Sequence, residues 1–381
     1  MLKRSLRLNT EEVFSSLSIR GSNAIEALLE YARAPAESKQ LPSIGISNAA
    51  ELIGYTSHYI RHLERCGDIP EPQKNEDGRR VYTLADINNI RDKLGKSLKR
   101  PTKNTMVVAF ANLKGGSAKT TTSVHFAQFS ARLGLKVLLI DLDPQASATS
   151  MFGYLPDIHI KETETIGVAL TDSPSRIREV IKATYWDRLN LIPSQLNMVG
   201  NEMELLQMQD NSTRLRDALD YINGEYDLVL LDSPPALGLL SINAILSADY
   251  VVMPVIPNMV DISSSIQFFR ILENLASRDL RLAKLSILIT RFNNGPEHVR
   301  ASTLLRSIYI DSVLTTQMIE TAELAKAGND AISVYEIIEP RGSRETYRRA
   351  ISAFDAVNRE ILSNIQLLWE QDAHPDDGCN L

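Results

Sequence analysis

From residue 106 toward the C-terminus, short apolar runs alternate with longer segments of helical spacing. The runs are nearly continuous in apolar residues, which is typical of strands buried on both faces. Strands that alternate with helices indicate a parallel sheet with helices on both sides. We therefore predict an α/β domain with a mostly parallel sheet flanked by helices. Its strands are expected in MVVAFAN, VLLIDLD, LNLIPS, YDLVLLD, YVVMPVI and LSILITRF.

A smaller unit is predicted ahead of this sheet, between residues 42 and 95. The segment SNAAELIGYTSHYIRHLERCGDIP holds two short helical patterns separated at Gly54, and ADINNIRDKLG holds a third. Between them, EPQKNEDGRRVYTL is polar, contains a glycine turn and ends on a short β-like stretch. The basic stretch KSLKRPTKN at 96–104 contains a proline and indicates a linker.

The two ends of the chain complete the division into domains. Gly21 interrupts and Pro35 stops an amphipathic helix, whose apolar stripe must be buried on its own chain or against a second copy. That stripe consists of Ile25, Leu28, Leu29 and Ala32. The predicted parts are an N-terminal helix with a possible dimerisation role (1–40), a small helical domain (41–100), the α/β domain (105–370) and a mobile acidic tail (371–381).

Composition and charge narrow the class of protein. The 381 residues are 44% hydrophobic and 23% charged, as in ordinary globular proteins. The sequence contains no run of 18 apolar residues, so no membrane span is predicted. The N-terminus lacks the apolar core of a signal peptide. Cys66 and Cys379 indicate neither a disulfide framework nor a metal site, so a cytoplasmic location is expected. Residues 1–104 carry 17 Lys and Arg against 13 Asp and Glu, which fits either nucleic-acid binding or a solvated surface.

The strongest chemical signal is MVVAFANLKGGSAKTTTSVHFA, in which a strand leads through a glycine-rich turn into a helix. Gly115 and Gly116 let the backbone approach a phosphate, and the loop amides point at the anion. Lys119 is expected to reach the β- and γ-phosphates, and the Thr120 hydroxyl to ligate Mg²⁺. The motif departs from the usual pattern by an alanine before Lys119 and by an extra lysine before the glycines. The remaining nucleotide-binding candidates are Lys114, Ser117, Ala118 and Thr121.

Aspartates end two of the predicted strands. Asp141 and Asp143 end VLLIDLD, and Asp232 ends YDLVLLD. Carboxylates at the carboxyl ends of parallel strands open into the ligand-binding crevice. Asp232 occupies the position of a carboxylate that holds Mg²⁺ through water, whereas Asp141 or Asp143 is expected to orient the attacking water or lie near the metal. Strand capping without a ligand is the alternative role.

The order KGGSAKTT, DLDPQASAT, LLDSPP resembles the ParA/MinD branch of deviant Walker ATPases, and within it the ParA proteins of plasmid partition, over roughly 105–360. The resemblance implies slow ATP hydrolysis to ADP with Mg²⁺ in an ATP-sandwich homodimer. It implies that Lys114 touches the partner's phosphates, where a lysine neutralises developing charge, and that Asp143 positions the water. The implied catalytic set is Lys114, Lys119, Asp141 and Asp143, and the implied base contacts are Pro254, Pro257, Asn258 and Arg291.

The small domain resembles the winged helix-turn-helix of MerR-type regulators, with a small helical interaction module as the alternative. Its predicted DNA-contacting residues are Ser57, His58, Tyr59, Arg61, His62 and Arg65 on the second helix and Arg79 and Arg80 on the wing. With the N-terminal helix, this arrangement resembles the large, type Ia branch of ParA proteins. That resemblance implies operator binding for autorepression, a ParB-type centromere-binding partner that stimulates hydrolysis, and non-specific binding to the bacterial nucleoid.

A second DNA surface is predicted in EPRGSRETYRRA, because phosphate contacts need only positive charge and reach. Its candidates are Arg341, Arg344, Arg348 and Arg349. A salt-bridged, solvated helix is the alternative.

Three other functions compete for the P-loop. A MinD-type membrane ATPase needs a basic amphipathic C-terminal helix, but ILSNIQLLWEQDAHPDDGCNL contains no Lys or Arg. A redox ATPase similar to the nitrogenase iron protein needs bridging cysteines, and residues 67–378 contain none. A transcription regulator that uses the nucleotide only as a ligand stays open, although the intact aspartates favour turnover.

Overall fold

The computed structural model of the chain describes residues 13–21, 39–277, 280, 282–321, 331–337 and 343–373. The predicted N-terminal stripe at 25–32, Pro35, Arg341 and residues 374–381 lie outside the described residues. Residues 13–21 are helical and largely exposed, with Phe14 65% and Leu17 54% accessible. None of the described helices is long and apolar enough to cross a membrane.

The small domain combines three helices with a three-stranded antiparallel sheet. Gly54 ends the first helix in the left-handed region, at φ 87°, which glycine adopts without steric cost. The Thr56 side chain accepts a hydrogen bond from the Tyr59 N–H and caps the second helix, while Thr83 and Asp86 form a capping box on the third. The elements are β1 (Ile44–Gly45), α1 (Ile46–Ile53), α2 (Ser57–Cys66), β2 (Gln73–Lys74), β3 (Arg80–Tyr82) and α3 (Leu84–Lys93).

Within the described residues, the larger domain is built on an eight-stranded sheet. Its strands are β4 (Met106–Phe110), β5 (Val137–Asp141), β6 (Lys182–Ala183), β7 (Leu189–Ile192), β8 (Leu228–Asp232), β9 (Tyr250–Val255), β10 (Lys284–Phe292) and β11 (Val313–Ile319). They lie in the order β11-β10-β9-β4-β8-β5-β7-β6, and every neighbouring pair is parallel except β6–β7. The predicted α/β fold class is confirmed.

Helices cover both faces of this sheet. Along β4, Val108 and Phe110 pack into one core with the helix that follows the glycine-rich turn, whereas Val107 and Ala109 pack into a second core on the opposite face. The helices are α4 (Lys119–Arg132), α5 (Ser147–Met151), α6 (Pro156–His159), α7 (Gly167–Thr171), α8 (Met198–Leu205), α9 (Arg214–Asp220), α10 (Leu239–Ser247), α11 (Met259–Ala276), α12 (Pro296–Tyr309) and α13 (Arg344–Ala373). Short 3₁₀ turns occupy Glu162–Glu164, Pro174–Val180, Ile310–Ser312 and Val334–Glu336.

A polar joint connects the two domains. The buried guanidinium of Arg91, on α3, donates to the carbonyl of Leu52 in α1 (Nε to O, 2.9 Å) and to the carbonyl of Arg132, the last residue of α4. Asn88, one turn earlier on α3, donates to the carboxylate of Asp187 at 2.7 Å. The small domain is therefore bound to the end of α4 that lies farthest from the glycine-rich turn.

A side chain binds two backbone N–H groups of the edge strand β11. The Glu360 carboxylate, on α13, accepts hydrogen bonds from the backbone N–H groups of Thr315 (2.6 Å) and Thr316 (2.7 Å). The pairing of β11 with β10 is irregular across this stretch. Two backbone donors that an edge strand would otherwise expose are thus satisfied within the chain.

Candidate nucleotide site and DNA-binding surface

The glycine-rich loop joins the central strand β4 to α4. Gly116 and Ala118 both take left-handed backbone conformations, at φ 77° and φ 68°. This conformation suits Gly116 but costs an alanine roughly 1 kcal/mol. Ala118 holds it directly before the first residue of α4, so the loop leads into a helix N-terminus, whose free N–H groups favour an anion. The loop therefore combines a strained backbone with a helix N-terminus, as phosphate-binding turns do.

Two side chains that were not predicted from the sequence hold this loop in place. Asn112 donates to the Pro254 carbonyl at 2.6 Å and accepts from the Lys114 N–H at 3.1 Å. The Thr290 hydroxyl donates to the Ser117 carbonyl at 3.0 Å. The sequence signal for Asn112 is a polar residue directly after a buried strand. Thr290 gives no such signal, since it lies inside the apolar run of β10.

Lys119 points into the loop. Its side chain is buried, and Nζ donates to the Lys114 carbonyl at 3.0 Å. Burial lowers the pKa of Lys119, while Asp232 and Asp143 act in the opposite direction. The ammonium group therefore lies between the loop carbonyl and the acidic strand ends, where it can neutralise a bound phosphate.

The acidic strand ends lie side by side. Asp141 and Asp232 are paired positions of β5 and β8. Burial raises the pKa of Asp141 to about 7, although the hydroxyl and N–H of Thr149 and the N–H of Asp143 donate to its two oxygens. Burial, and then the charge of Asp141, raises the pKa of Asp232 well above its ordinary value.

The oxygen atoms of Asp232 and Thr120 are suited to bind a magnesium ion. Both oxygens of Asp232 are buried without a hydrogen-bond partner among the described residues, and the nearby Thr120 hydroxyl acts to lower the pKa of this carboxyl. A carboxylate beside a hydroxyl suits a hard cation that takes oxygen ligands. Asp141 differs, because both of its oxygens already accept hydrogen bonds. In the described part of the chain, no three His, Cys, Asp or Glu side chains are placed to hold a metal, so water and phosphate would complete the coordination.

Lys114 lies at the rim of the loop and pairs with a residue that was not predicted. Its Nζ is 2.8 Å from Oδ1 of Asp261, whose side chain is 1% exposed while that of Lys114 is 35% exposed. Asp261 belongs to the first turn of α11, and the Asn258 side chain accepts a hydrogen bond from its N–H. The sequence signal for this arrangement is the capping spacing from Asn258 to Asp261 after the strand YVVMPV.

The residues predicted around the base lie on the β9 and β10 side of the loop. Pro254 and Pro257 are buried, and Asn258 caps α11. Arg291 follows Thr290 in β10, so it lies beside the loop. Its half-exposed guanidinium is 3.0 Å from Glu320. A contact with the base by these residues stays a prediction.

The predicted DNA-contacting residues of α2 share one exposed face. Ile60 and Leu63 point into the core of the small domain, and the exposed residues are His58, Tyr59, Arg61, His62 and Arg65, with Ser57 half-buried. Arg61 also lines a groove of about 440 Å³ with Arg79, Arg80 and the start of α1. Within this set Arg80 already forms an ion pair inside the domain, because its Nε is 2.7 Å from the buried Glu64 carboxylate.

The second predicted DNA surface lies at the start of α13. Arg344, Arg348 and Arg349 are exposed in its first two turns. In the part of the chain that the structure describes, no ion pair of these three arginines is found, and the salt-bridged alternative stays open. Their contact with DNA stays a prediction.

Known proteins match both domains. A family model described as an AAA domain matches residues 105–285, and one described as a MerR HTH family regulatory protein matches residues 45–92. Protein SopA of Escherichia coli strain K12 is 34% identical over 85% of this chain and 89% of its own length. A putative replication protein A of Rhizobium rhizogenes is 32% identical over 88% of this chain and 89% of its own length. The chain belongs to the ParA/MinD family.

This membership agrees with the solved structures. A structure described as a partition protein covers 94% of this chain and 98% of its own, with a TM-score of 0.66 at 18% identity, and shares the ParA fold. The chain is thus a P-loop ATPase of the ParA type that carries a MerR-type helix-turn-helix. Lys114, Lys119, the three aspartates and Asp261 all fall within the segment that matches the AAA-domain model.

Proposed function

We propose that this ParA-family chain is a partition ATPase of a plasmid or another bacterial replicon. ATP binding drives dimerisation and non-specific binding to nucleoid DNA in the cytoplasm, and a ParB-type centromere-binding protein stimulates an otherwise slow hydrolysis. The small domain binds an operator and represses the chain's own operon. The supporting observation is that α4 begins at the phosphate-binding loop and ends at Arg132, where Arg91 attaches the helix-turn-helix domain.

The chemistry is assigned to residues of this chain. The loop amides and Lys119 bind the phosphates of ATP, and Thr120 with Asp232 holds Mg²⁺, which neutralises charge on the phosphate oxygens. Asp143 orients the attacking water. Its Oδ1 accepts from the Gln145 N–H at 2.9 Å, and burial raises the pKa of this carboxyl while Lys119 acts to lower it. A carboxylate held by one oxygen can present the other to water.

Exposed apolar side chains around the loop support the homodimer. The strands β8 and β9 flank β4, so the loops that follow them flank the phosphate site. The Leu240 N–H, in the first turn of α10, donates to Glu202 at 3.3 Å, which joins α8 to the helix that follows β8. Such a concentration of exposed apolar groups marks an interaction surface. Its members are Val199 and Met203 on α8, Leu237 after β8, and Met259 and Val260 after β9.

Lys119→Ala tests the nucleotide assignment. It is expected to weaken ATP binding about 10- to 100-fold, because a hydrogen bond from a charged donor contributes about 1.5–3 kcal/mol. Titration with a fluorescent ATP analogue and Mg²⁺ measures this, and Lys136→Ala, at an exposed lysine before β5, is the control. Unchanged affinity in Lys119→Ala would count against the phosphate site.

The assignment as a partition ATPase needs a separate measurement. We expect slow ATP turnover in the isolated protein and faster turnover when non-specific DNA and the product of the neighbouring gene are both present. ATP binding without turnover under any of these conditions would favour a transcription regulator that only senses the nucleotide.

A further inference from the structure

The ammonium group of Lys114 is bound by a carboxylate of its own chain. Nζ of Lys114 lies 2.8 Å from Oδ1 of Asp261. Asp261 is buried at 1% exposure, and Lys114 is the residue that forms an ion pair with it in the described part of the chain. While Lys114 stays at this distance, the Asp261 carboxylate competes with a phosphate of a second copy for its ammonium group. The ion pair with Asp261 therefore opposes the movement of Lys114 toward a second subunit, which is the role that the resemblance implies.

Both members of the pair are held in place by further hydrogen bonds. Asn258 accepts from the Asp261 N–H at 2.9 Å and donates through its amide nitrogen to Oδ2 of Asp261. The Lys114 N–H donates to Asn112, and the Lys114 carbonyl accepts from Lys119 Nζ. The backbones of Lys114 and Asp261 are thus held by hydrogen bonds. Lys114 can therefore leave Asp261 by rotation of its own side chain. Release of Lys114 leaves the Asp261 carboxylate buried with only an amide donor, which is unfavourable.

We propose that Asp261 is a latch that holds Lys114 in the resting form and opposes ATP-dependent dimerisation. The inference rests on the ATP-driven dimer proposed above. A Lys114 that leaves Asp261 becomes available to the phosphates of the other subunit, and a symmetric dimer opens two latches. The exposed side chains of Met259 and Val260 lie in the same helical turn as Asp261. A second copy that packs on them would act directly on the latch.

Asp261→Asn tests this role. The substituted amide keeps the size of the side chain and can still accept from Asn258, but it loses the charge that attracts Lys114. We expect the protein concentration at which half the chains dimerise in ATP and Mg²⁺ to fall about tenfold, since each of the two ion pairs that open is partly exposed and contributes roughly 0.7 kcal/mol, and together they make the roughly 1.4 kcal/mol of a tenfold change. Sedimentation velocity over a dilution series measures it. A residue with a merely structural role would raise this concentration when replaced.

The matched control is Asp227→Asn, which also replaces a carboxylate by an amide, at the residue before β8 whose side chain accepts from the Lys136 N–H. It is expected to leave the dimerisation concentration unchanged. An unchanged midpoint in Asp261→Asn, or an equal fall in Asp227→Asn, would overturn the latch.

Chemical reactivity of the unmodified protein gives a second readout, which does not depend on any variant folding. Lysine acylation followed by mass spectrometry, without nucleotide, is expected to modify Lys114 several-fold more slowly than the exposed Lys136. In Asp261→Asn the protection of Lys114 is expected to disappear. Equal rates for the two lysines in the unmodified protein would show that no latch exists. A failure to bind ATP would instead overturn the proposed function, while the acylation result would still decide on the latch.

Discussion

At the scale of single residues, the nucleotide site buries a carboxyl group, Asp232, whose ionised form is unfavourable there. Burial, together with the neighbouring Asp141, raises the pKa of Asp232 well above its ordinary value, so the folded chain keeps a proton that the unfolded chain has already lost. A folded state that binds more protons loses stability as pH rises. The loss begins near pH 4, the ordinary range of an aspartate, and continues up to the raised pKa of Asp232.

Asp232→Asn is therefore expected to stabilise the protein at pH 8 and to change it little at pH 4. In the absence of nucleotide and with EDTA, the free energy of unfolding at pH 8 should rise by about 1–3 kcal/mol, the usual cost of burying a polar group without a partner. Urea unfolding at both pH values measures it. Asp227→Asn is the control, because Asp227 precedes the same strand and accepts from the Lys136 N–H. A pH profile parallel to that of the unmodified protein would contradict the argument.

The sequence predicts those residues whose role is local. Lys119 and Asp232 follow from a glycine-rich turn and from the end of an apolar run. Asn112, Thr290 and Asp261 were not predicted, because their contacts join distant parts of the chain. The Thr290 hydroxyl, for example, bonds a carbonyl 173 positions earlier. Only the fold shows that these loops meet.

At the scale of helices and strands, Arg91 is the joint between the domains. Its guanidinium has hydrogen-bond acceptors at the C-terminal ends of α1 and α4, where the helix dipoles favour a cation. Burial, with the charges of Arg132 and Arg188, lowers the pKa of Arg91 to about 10, so it stays protonated at neutral pH. Loss of this group leaves carbonyls of both helices without a donor.

Arg91→Met is expected to loosen the small domain while ATP affinity is retained. The free energy of its unfolding should fall by about 1–3 kcal/mol, the cost of leaving buried polar groups unpaired. Limited trypsin digestion should then cut faster in the linker 96–104. Lys93→Met on the same helix is the control, since the exposed Lys93 donates to the Asp68 carbonyl within its own domain. Equal cleavage of the two variants would show that Arg91 does not hold the joint.

The strands differ in how far the sequence reveals them. The six apolar runs correspond to β4, β5, β7, β8, β9 and β10. The edge strand β11, VLTTQMI, was not predicted because three of its seven residues are polar. Edge strands face solvent and lack the continuous apolar run on which the prediction depends.

At the scale of the whole molecule, DNA binding is divided between surfaces that can be tested separately. Arg61→Ala combined with Arg65→Ala should weaken operator binding about 10- to 100-fold and, where both contact phosphate, reduce the salt dependence by about two counterions. ATP binding should not change, because the small domain is attached at Arg132, the end of α4 that lies farthest from the loop. Electrophoretic mobility shifts over a salt series measure this.

The charge-matched control is Arg176→Ala with Arg178→Ala, two arginines of the ATPase domain that pair with acidic neighbours. Operator affinity equal to that of the control pair would refute the assignment of α2 as the recognition helix.

The covered edge of the sheet bears on how copies of this protein can assemble. Glu360 occupies the backbone donors of Thr315 and Thr316, so these two groups cannot pair with an incoming strand. Strand addition over the middle of this edge is thereby disfavoured. A polymer that grew on this side of the molecule through side-chain contacts would respond to salt and surface substitutions as ordinary interfaces do, without the persistence of cross-β aggregates.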